Sequence, residues 1–422
     1  MLIRLSLSAT VKSPKARYNP MSKSFRVAGL LAAASIKRGN IGVILLIVII
    51  LTIISLNSLF IPGLLQGLVS GANSQLRNTY SGDIIVESNT AQPLLGNVDS
   101  LINKIKTVDG VAGAAPINVL GAEFVFGTQR TDADIYSVQP DLENEVFTTS
   151  KSMIEGAYLA PGDVDQIVLG VQLAGAGKPN LSLYSRSLLT VHAGDVVNVT
   201  YGNGVRKNYT VKGIFYTEFL QTDIEAFVTQ TEMETINPLT KNAASSIHVK
   251  VKSDKAIPDV IAKISGLQTG FKVLKWEDYA GIVRSLTDSF NIINVILTII
   301  DLLIAGITVF IVTYIDVVNR KRQIGVQRAI GITPGSITLS YLMRAVFYSV
   351  TAIVLAILLF AFVVAPLETK YPFYFPFGAV YLLIGPADII RMTAIVISVS
   401  LLASFLPVRG IMKMKIMDAI WG

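Results

Sequence analysis

Asn319–Gly331 reads NRKRQIGVQRAIG, and it lies between two long apolar segments. The chain must therefore leave a membrane there and turn back into it. Arg320, Lys321 and Arg322 crowd its start, the small residues Gly325, Ala329 and Gly331 recur along it, and the turn signal Thr333-Pro334-Gly335 follows.

The composition agrees. Of 422 residues, 51% are hydrophobic and 15% charged, against about 25% charged in an ordinary soluble domain. The apolar excess is gathered into a few runs, so the class is a membrane protein with a soluble part. The +7 formal charge is unevenly spread: no Asp or Glu precedes Asp83, whereas Arg4, Lys12, Lys15, Arg17, Lys23, Arg26, Lys37 and Arg38 precede the first apolar run. Beside a membrane span such an arm marks the cytoplasmic side and does not imply nucleic acid. The chain has no Cys and only two His, His192 and His248. Disulfides, thiolate metal sites and Cys nucleophiles are excluded, and a His-based metal or catalytic site is not expected.

Residues 1–40 read as a basic arm ending in an amphipathic helix from about Phe25, lying on the inner membrane surface. Residues 41–60 form the first span; Ile41–Leu59 is close to the roughly 20 residues needed to cross a bilayer and too long for a signal-peptide core. Helical periodicity continues through Ile61, Leu64, Leu65, Leu68, Val69, Ala72 and Leu76, now with polar residues between them, so 61–80 is a stalk helix. On the far side, 276–290 repeats the pattern through Tyr279, Ile282, Val283, Leu286 and Phe290. The other spans are 291–318, 342–365 and 391–407, with a segment at 319–341, an outer loop at 366–390 and a tail at 408–422.

Residues 81–275 read as an α/β extracytoplasmic domain. Asp83–Glu87 is a strand, Val98–Ile105 one face of a helix ended by Asp109-Gly110, and Val111–Phe126 one or two strands. Ile247–Val251 alternates as a half-buried strand, Pro258–Ile264 is a helix and Phe271–Lys275 a strand. Two strand–helix–strand units at the two ends predict a ferredoxin-like module split by a β-rich insertion at about 130–243. Within the insertion, two alternating strands flank Asn203-Gly204, a hairpin signal. Three N-x-S/T sequons, at Asn180, Asn198 and Asn208, permit an external face.

Two features leave alternatives open. Asp301, inside the second span, is either an ion or substrate contact, or else an interhelical hydrogen bond or a position close to the outer interface. The aromatic cluster Tyr371, Phe373, Tyr374, Phe375 and Phe377 around Pro372 and Pro376 is either an interfacial belt or a lipid-contacting gate. Orientation follows from charge: the arm, the 319–331 loop and the tail (Arg409, Lys413, Lys415) are basic, which places both termini in the cytoplasm and the large domain outside.

The segment NRKRQIGVQRAIGITPGSITLSYL resembles the loop after the second span in ABC-transporter permeases of the MacB, LolC/LolE and FtsX type. LPVRGIMKMKIMDAIWG is similar to that family's closing segment, and GAYLAPGDVDQIVLGVQLA with AGDVVNVTYGNGVRKNYTVKGIF to its ectodomain pattern. The family's usual Glu is Gln323 here, Met417 stands for a Pro, Trp421-Gly422 replaces the final Arg, and Lys178–Thr190 is inserted. The resemblance implies a coupling helix seated on a separate ATPase, carried here by Arg320, Arg322, Gln323, Ile324, Gly325, Arg328, Ala329 and Gly331. Gly325 and Ala329, four apart, offer one small-residue face for close docking.

No GxxxxGK[ST] occurs in the sequence, so the chain has no P-loop; ATP and Mg belong to the partner ATPase. A non-hydrolytic permease subunit of the plasma membrane is expected, paired with a second copy or a paralogue. It would transmit ATPase motion to the outer domain for export or extraction of lipid, lipoprotein, peptide or amphiphilic cargo, and contact membrane lipids and an extracytoplasmic cargo or adaptor. The alternative is an FtsX-like subunit that activates a cell-wall hydrolase and transports nothing. A receptor without an ATPase leaves the loop unexplained, and an enzyme lacks an acid, base and nucleophile constellation.

Overall fold

The computed structural model describes residues 20–89, 93–175, 187–267, 270–279, 281–375, 378–414 and 417. The arm before Pro20, the sequon at Asn180, most of the insert Lys178–Thr190, Pro376, Phe377, Lys415 and Trp421-Gly422 lie outside the described residues, as do the side chains of Ile282, Val283 and Leu286. The chain divides into two compact units. One comprises Met1–Gly63, Ile293–Leu367 and Ile384–Gly422; the other comprises Leu64–Ile292 and Glu368–Leu383.

Four helices among the described residues are long and apolar enough to cross a membrane, Ile41–Thr79, Asp288–Asn319, Pro334–Lys370 and Pro386–Met412, and most of their length lies in the first unit. They meet around Leu51, Ala305, Tyr348, Ala352 and Ala403. Small polar side chains sit at the crossings, as expected where two helices associate inside lipid; Ser55, Ser349 and Ser400 are fully buried, and Thr52 Oγ1 donates to the Ala352 carbonyl of the third span at 3.3 Å. Asp301 accepts from Asn57 Nδ2 on both carboxylate oxygens, at 3.0 and 2.9 Å. Its partner is thus another helix of the same chain. The helix preceding the first span, Pro20–Lys37, packs along Pro334–Leu359, with Ala28 and Ala32 buried.

In the second unit, the four-stranded antiparallel sheet has the spatial order Phe271–Lys275, Ile84–Ser88, Ser246–Val251, Val111–Ile117. Numbered along the chain this is 4-1-3-2, the order of a ferredoxin-like module. Helices Val98–Lys106 and Ile257–Ser265 cover one face, burying Leu101, Ile102 and Ile105 from the first and Val260 and Ile264 from the second.

The insertion begins earlier than its composition suggested. Val111–Phe126 is two strands, and the second, Val119–Phe126, pairs with Gln129–Val138 and Val196–Tyr201 and not with the ferredoxin-like sheet. Asn118 is the residue at which the chain changes sheets. It is 1% exposed, and its side chain is fully used: Nδ2 donates to Gln230 and to the Ala243 carbonyl, and Oδ1 accepts from Ser245 N–H. Six strands then close on themselves in the order Arg206–Phe215, Gln166–Gly170, Ala226–Thr229, Gln129–Val138, Val119–Phe126, Val196–Tyr201, the last pairing back with the first. Closure removes the open edges of these six, and Met153–Gly156 adds a seventh strand beside Arg206–Phe215. Phe124, Ile135, Leu169, Tyr201 and Tyr209 fill the interior.

The Asn203-Gly204 hairpin is present. Tyr201 and Val205 face each other across it, and Gly204, at φ +86°, follows a turn closed from its N–H to the Tyr201 carbonyl at 2.8 Å. The left-handed residue after the turn is what glycine supplies in a three-residue hairpin loop.

Buried ionisable groups in this unit set a testable pH dependence. Burial pushes the Glu143 carboxyl up to about 7. The folded protein therefore holds a proton that the unfolded chain releases above its ordinary value of 4.5, and this contribution is lost as pH rises through about 7. Glu143→Gln cannot titrate, so it should stabilise the domain relative to wild type by as much as about 3 kcal/mol at pH 8 and by little at pH 4. Hydrogen exchange over 140–146 in the full-length protein measures this; a gain equal at both pH values would show that the charge is not the cause. His248 runs the other way. Burial holds its ring at about 4, with Nδ1 donating to the Ser81 carbonyl at 2.8 Å, so its contribution is lost as pH falls from 6.5 toward 4.

Candidate functional site

The loop between the second and third spans folds as a nine-residue helix, Lys321–Ala329. Gly331 reverses the chain at φ +95°. Thr333 Oγ1 then accepts from Ser336 N–H to cap the next helix, whose first residue is Pro334, the usual chemistry of a helix start. Ile324 anchors the segment: it is 3% exposed and packs with Val317, Ile337, Tyr341, Val408 and Ile411.

This anchoring separates residues expected to act together. Gly325 is buried with Ile324, whereas Ala329 is exposed. The two do not form one docking face, because Gly325 lies inside and Ala329 outside. The outward face is instead Arg322, Gln323, Val326, Ala329 and Ile330, spaced i, i+1, i+4, i+7 and i+8, as one side of a helix requires. Val326 is 48% and Ile330 73% exposed. These two apolar residues were not among the expected site residues. Their signal is the i, i+4 spacing, offset from Ile324, which sequence alone does not mark as outward.

The basic residues also divide. Arg320 Nε donates to Asp316 at 2.9 Å, and Arg328 Nη1 donates to the Met414 carbonyl at 2.8 Å. Both brace the loop against its own spans. Arg322 and Gln323 are exposed, and Lys321 is half-buried.

A second constellation holds the far end of helix Ile41–Thr79 within the large domain. Its buried stripe is Leu68, Ala72, Leu76 and Thr79. Both modules of that domain grip it. From the ferredoxin-like module, Asp83, fully buried, accepts from Arg77 at 2.7 Å and from Val251 N–H at 2.8 Å. Arg77 also meets Asp254 at 2.5 Å and lies over the Trp276 ring. The Asp254 and Asp83 carboxylates raise the Arg77 pKa further above its ordinary value. From the barrel, Phe219 packs on Ala72 and Leu76, and Thr222 Oγ1 lies 3.2 Å from Thr79 Oγ1.

The outer loop joins this grip. Phe373–Phe375 pairs with Gly378–Val380. Gly67 lies so close to it that a Cβ there would sit 2.0 Å from the Tyr381 carbonyl oxygen. The aromatic segment thus belongs to a hairpin seated on the stalk.

Residues 41–267, more than half of the chain, match the family model of the MacB-like periplasmic core domain. Residues 295–416 match that of the FtsX-like permease C-terminal region. No curated protein matches the chain. Among solved structures it is similar to the extracellular domain of the noncanonic ABC-type transporter YknZ from Gram-positive bacteria, at 14% identity and TM-score 0.33, covering 46% of this chain and 100% of that one. It is also similar to the periplasmic region of MacB from Actinobacillus actinomycetemcomitans, at 12% identity and TM-score 0.34, covering 50% and 95%. With both family regions in their expected order on a four-span, large-domain chain, the protein belongs to the MacB/FtsX-type permeases of ABC transporters.

Proposed function

We propose that this chain is the force-transmitting permease subunit of an ATP-driven complex of the plasma membrane. It takes motion from a separate ATPase at Lys321–Ala329 and delivers it to the extracytoplasmic domain, where lipid, lipoprotein, peptide or amphiphilic cargo is exported or extracted. Both termini lie in the cytoplasm, and ATP and Mg are bound by the ATPase. The observation that carries this reading is the outward face of Arg322, Gln323, Val326, Ala329 and Ile330 on a helix whose other side is locked into its own bundle. Such a helix can be pushed as one piece with the spans that hold it. A second permease copy fits the apolar residues that the second span leaves exposed, Ile292, Ile296, Ile299, Leu303 and Ile307, which face lipid or another helix.

Replacing 321–331 by a Gly/Ser linker tests the reading. The ATPase should no longer co-purify while the chain still inserts in the membrane; undiminished co-purification overturns it. In reconstituted vesicles, ATP-dependent release of cargo supports transport. A cell-wall hydrolase bound and switched on by the outer domain, with no cargo moved, replaces transport with activation.

A further inference from the structure

A cavity of about 440 Å³ opens in the membrane unit where helix Pro20–Lys37 meets the first three spans. Its walls are apolar, among them Val43, Ile47, Val312 and Ala345, while Asp316, Arg320 and Arg344 share its charged end. Asp316 serves both arginines: it accepts from Arg320 Nε at 2.9 Å and from Arg344 Nη1 at 2.8 Å. One carboxylate against two guanidinium groups leaves one positive charge uncompensated. Arg344 is held in place by stacking over Tyr341, 4.8 Å from the ring centre, and its side chain is only 11% exposed. A net-positive cluster at the end of an apolar cavity is costly unless something anionic completes it.

We infer that this cavity binds an anionic phospholipid, its phosphate on Arg344 and Arg320 and its acyl chains along the apolar walls. The choice of a lipid over a free anion rests on shape and placement. The polar end is small, the walls are hydrocarbon, and Val43, Leu46 and Ile315 at the rim are 41–52% exposed on segments that face lipid. A planar guanidinium fork suits phosphate oxygens. Placing the lipid in the inner leaflet rests on the orientation proposed above; the binding itself does not, so its test is independent of ATPase docking.

The test is native mass spectrometry of the full-length chain in mild detergent, titrated with phosphatidylglycerol, phosphatidylcholine or inorganic phosphate. Phosphatidylglycerol should be retained at one per chain, in preference to phosphatidylcholine and undisturbed by millimolar phosphate. Arg344→Gln should weaken retention about tenfold, as loss of a charge-assisted contact does. Should that variant fold poorly, two others carry the test. Asp316→Asn raises the net positive charge and should tighten retention, and Val43→Trp obstructs the mouth without touching a charge and should weaken it. Equal retention of both lipids, displacement by inorganic phosphate, or retention unchanged by Asp316→Asn and Val43→Trp would each overturn the proposal. So would a lipid-free dimer in which a second copy shields the cavity.

Discussion

Val326→Asp combined with Ile330→Asp is expected to lower capture of the ATPase subunit by at least about a hundredfold, because each carboxylate would be buried unpaired at the centre of the contact. Both side chains are exposed in the chain by itself, so the double variant should insert and fold as wild type does. Controls separate docking from bracing. Arg322→Glu reverses an outward charge and should weaken capture modestly and in a salt-dependent way, as a rim charge does. Arg328→Ala removes a donor to the Met414 carbonyl and should loosen the end of the last helix more than it weakens capture. Surface binding kinetics with purified ATPase measure all three. Wild-type capture by the double Asp variant would show that the outward apolar pair is not the docking surface.

Asp83→Ala is expected to destabilise the grip on the stalk by about 3–5 kcal/mol, the usual cost of removing one partner from a buried ion pair. Asp83 is fully buried. Without it Arg77 keeps Asp254 as its one carboxylate partner, Val251 N–H loses its acceptor, and Lys250, 3.5 Å away, loses a counter-charge. Asp254 is 73% exposed at its side chain, so Asp254→Ala should cost under about 1 kcal/mol. Hydrogen exchange across 72–80 in the full-length protein reads the effect directly, and it should rise strongly in Asp83→Ala and little in Asp254→Ala. If force travels along this helix, Asp83→Ala should also retain ATPase binding while losing ATP-dependent work outside. Equal protection in the two variants would place the grip elsewhere, with the Phe219 and Thr222 contacts the first alternatives.

Much of the architecture was legible in the residues because it is written in local terms. A run such as Ile41–Leu59 cannot be anything but a span or a buried helix, and its length decides between them. The two strand–helix–strand units were readable from periodicities of 2 and 3.6, and the Asn203-Gly204 hairpin from the backbone freedom its loop needs. The strand at Asp83–Glu87 shifts by only one residue, to Ile84–Ser88.

Long-range pairing was not legible. Closure of the six strands into a barrel depends on Val196–Tyr201 pairing with both Val119–Phe126 and Arg206–Phe215, and nothing in any one strand declares its second partner. The same holds for Asn118, an ordinary polar residue until three distant groups converge on it. The outer aromatic loop was read from composition as an interfacial belt or a lipid-contacting gate; its packing on the stalk through Gly67 and Tyr381 is a contact made across more than three hundred residues of chain.

In Asn319–Gly331, sequence by itself determined a basic turn between two spans, since charge bias is a local property, and the family resemblance implied a helix there. Only the tertiary structure decided which side of that helix is available. Ile324, Val326 and Ile330 are alike in apolar character, and Arg320, Arg322 and Arg328 alike in charge. What distinguishes them is whether Tyr341, Val408, Asp316 and the Met414 carbonyl lie opposite, and those groups come from spans that meet only when the bundle has packed.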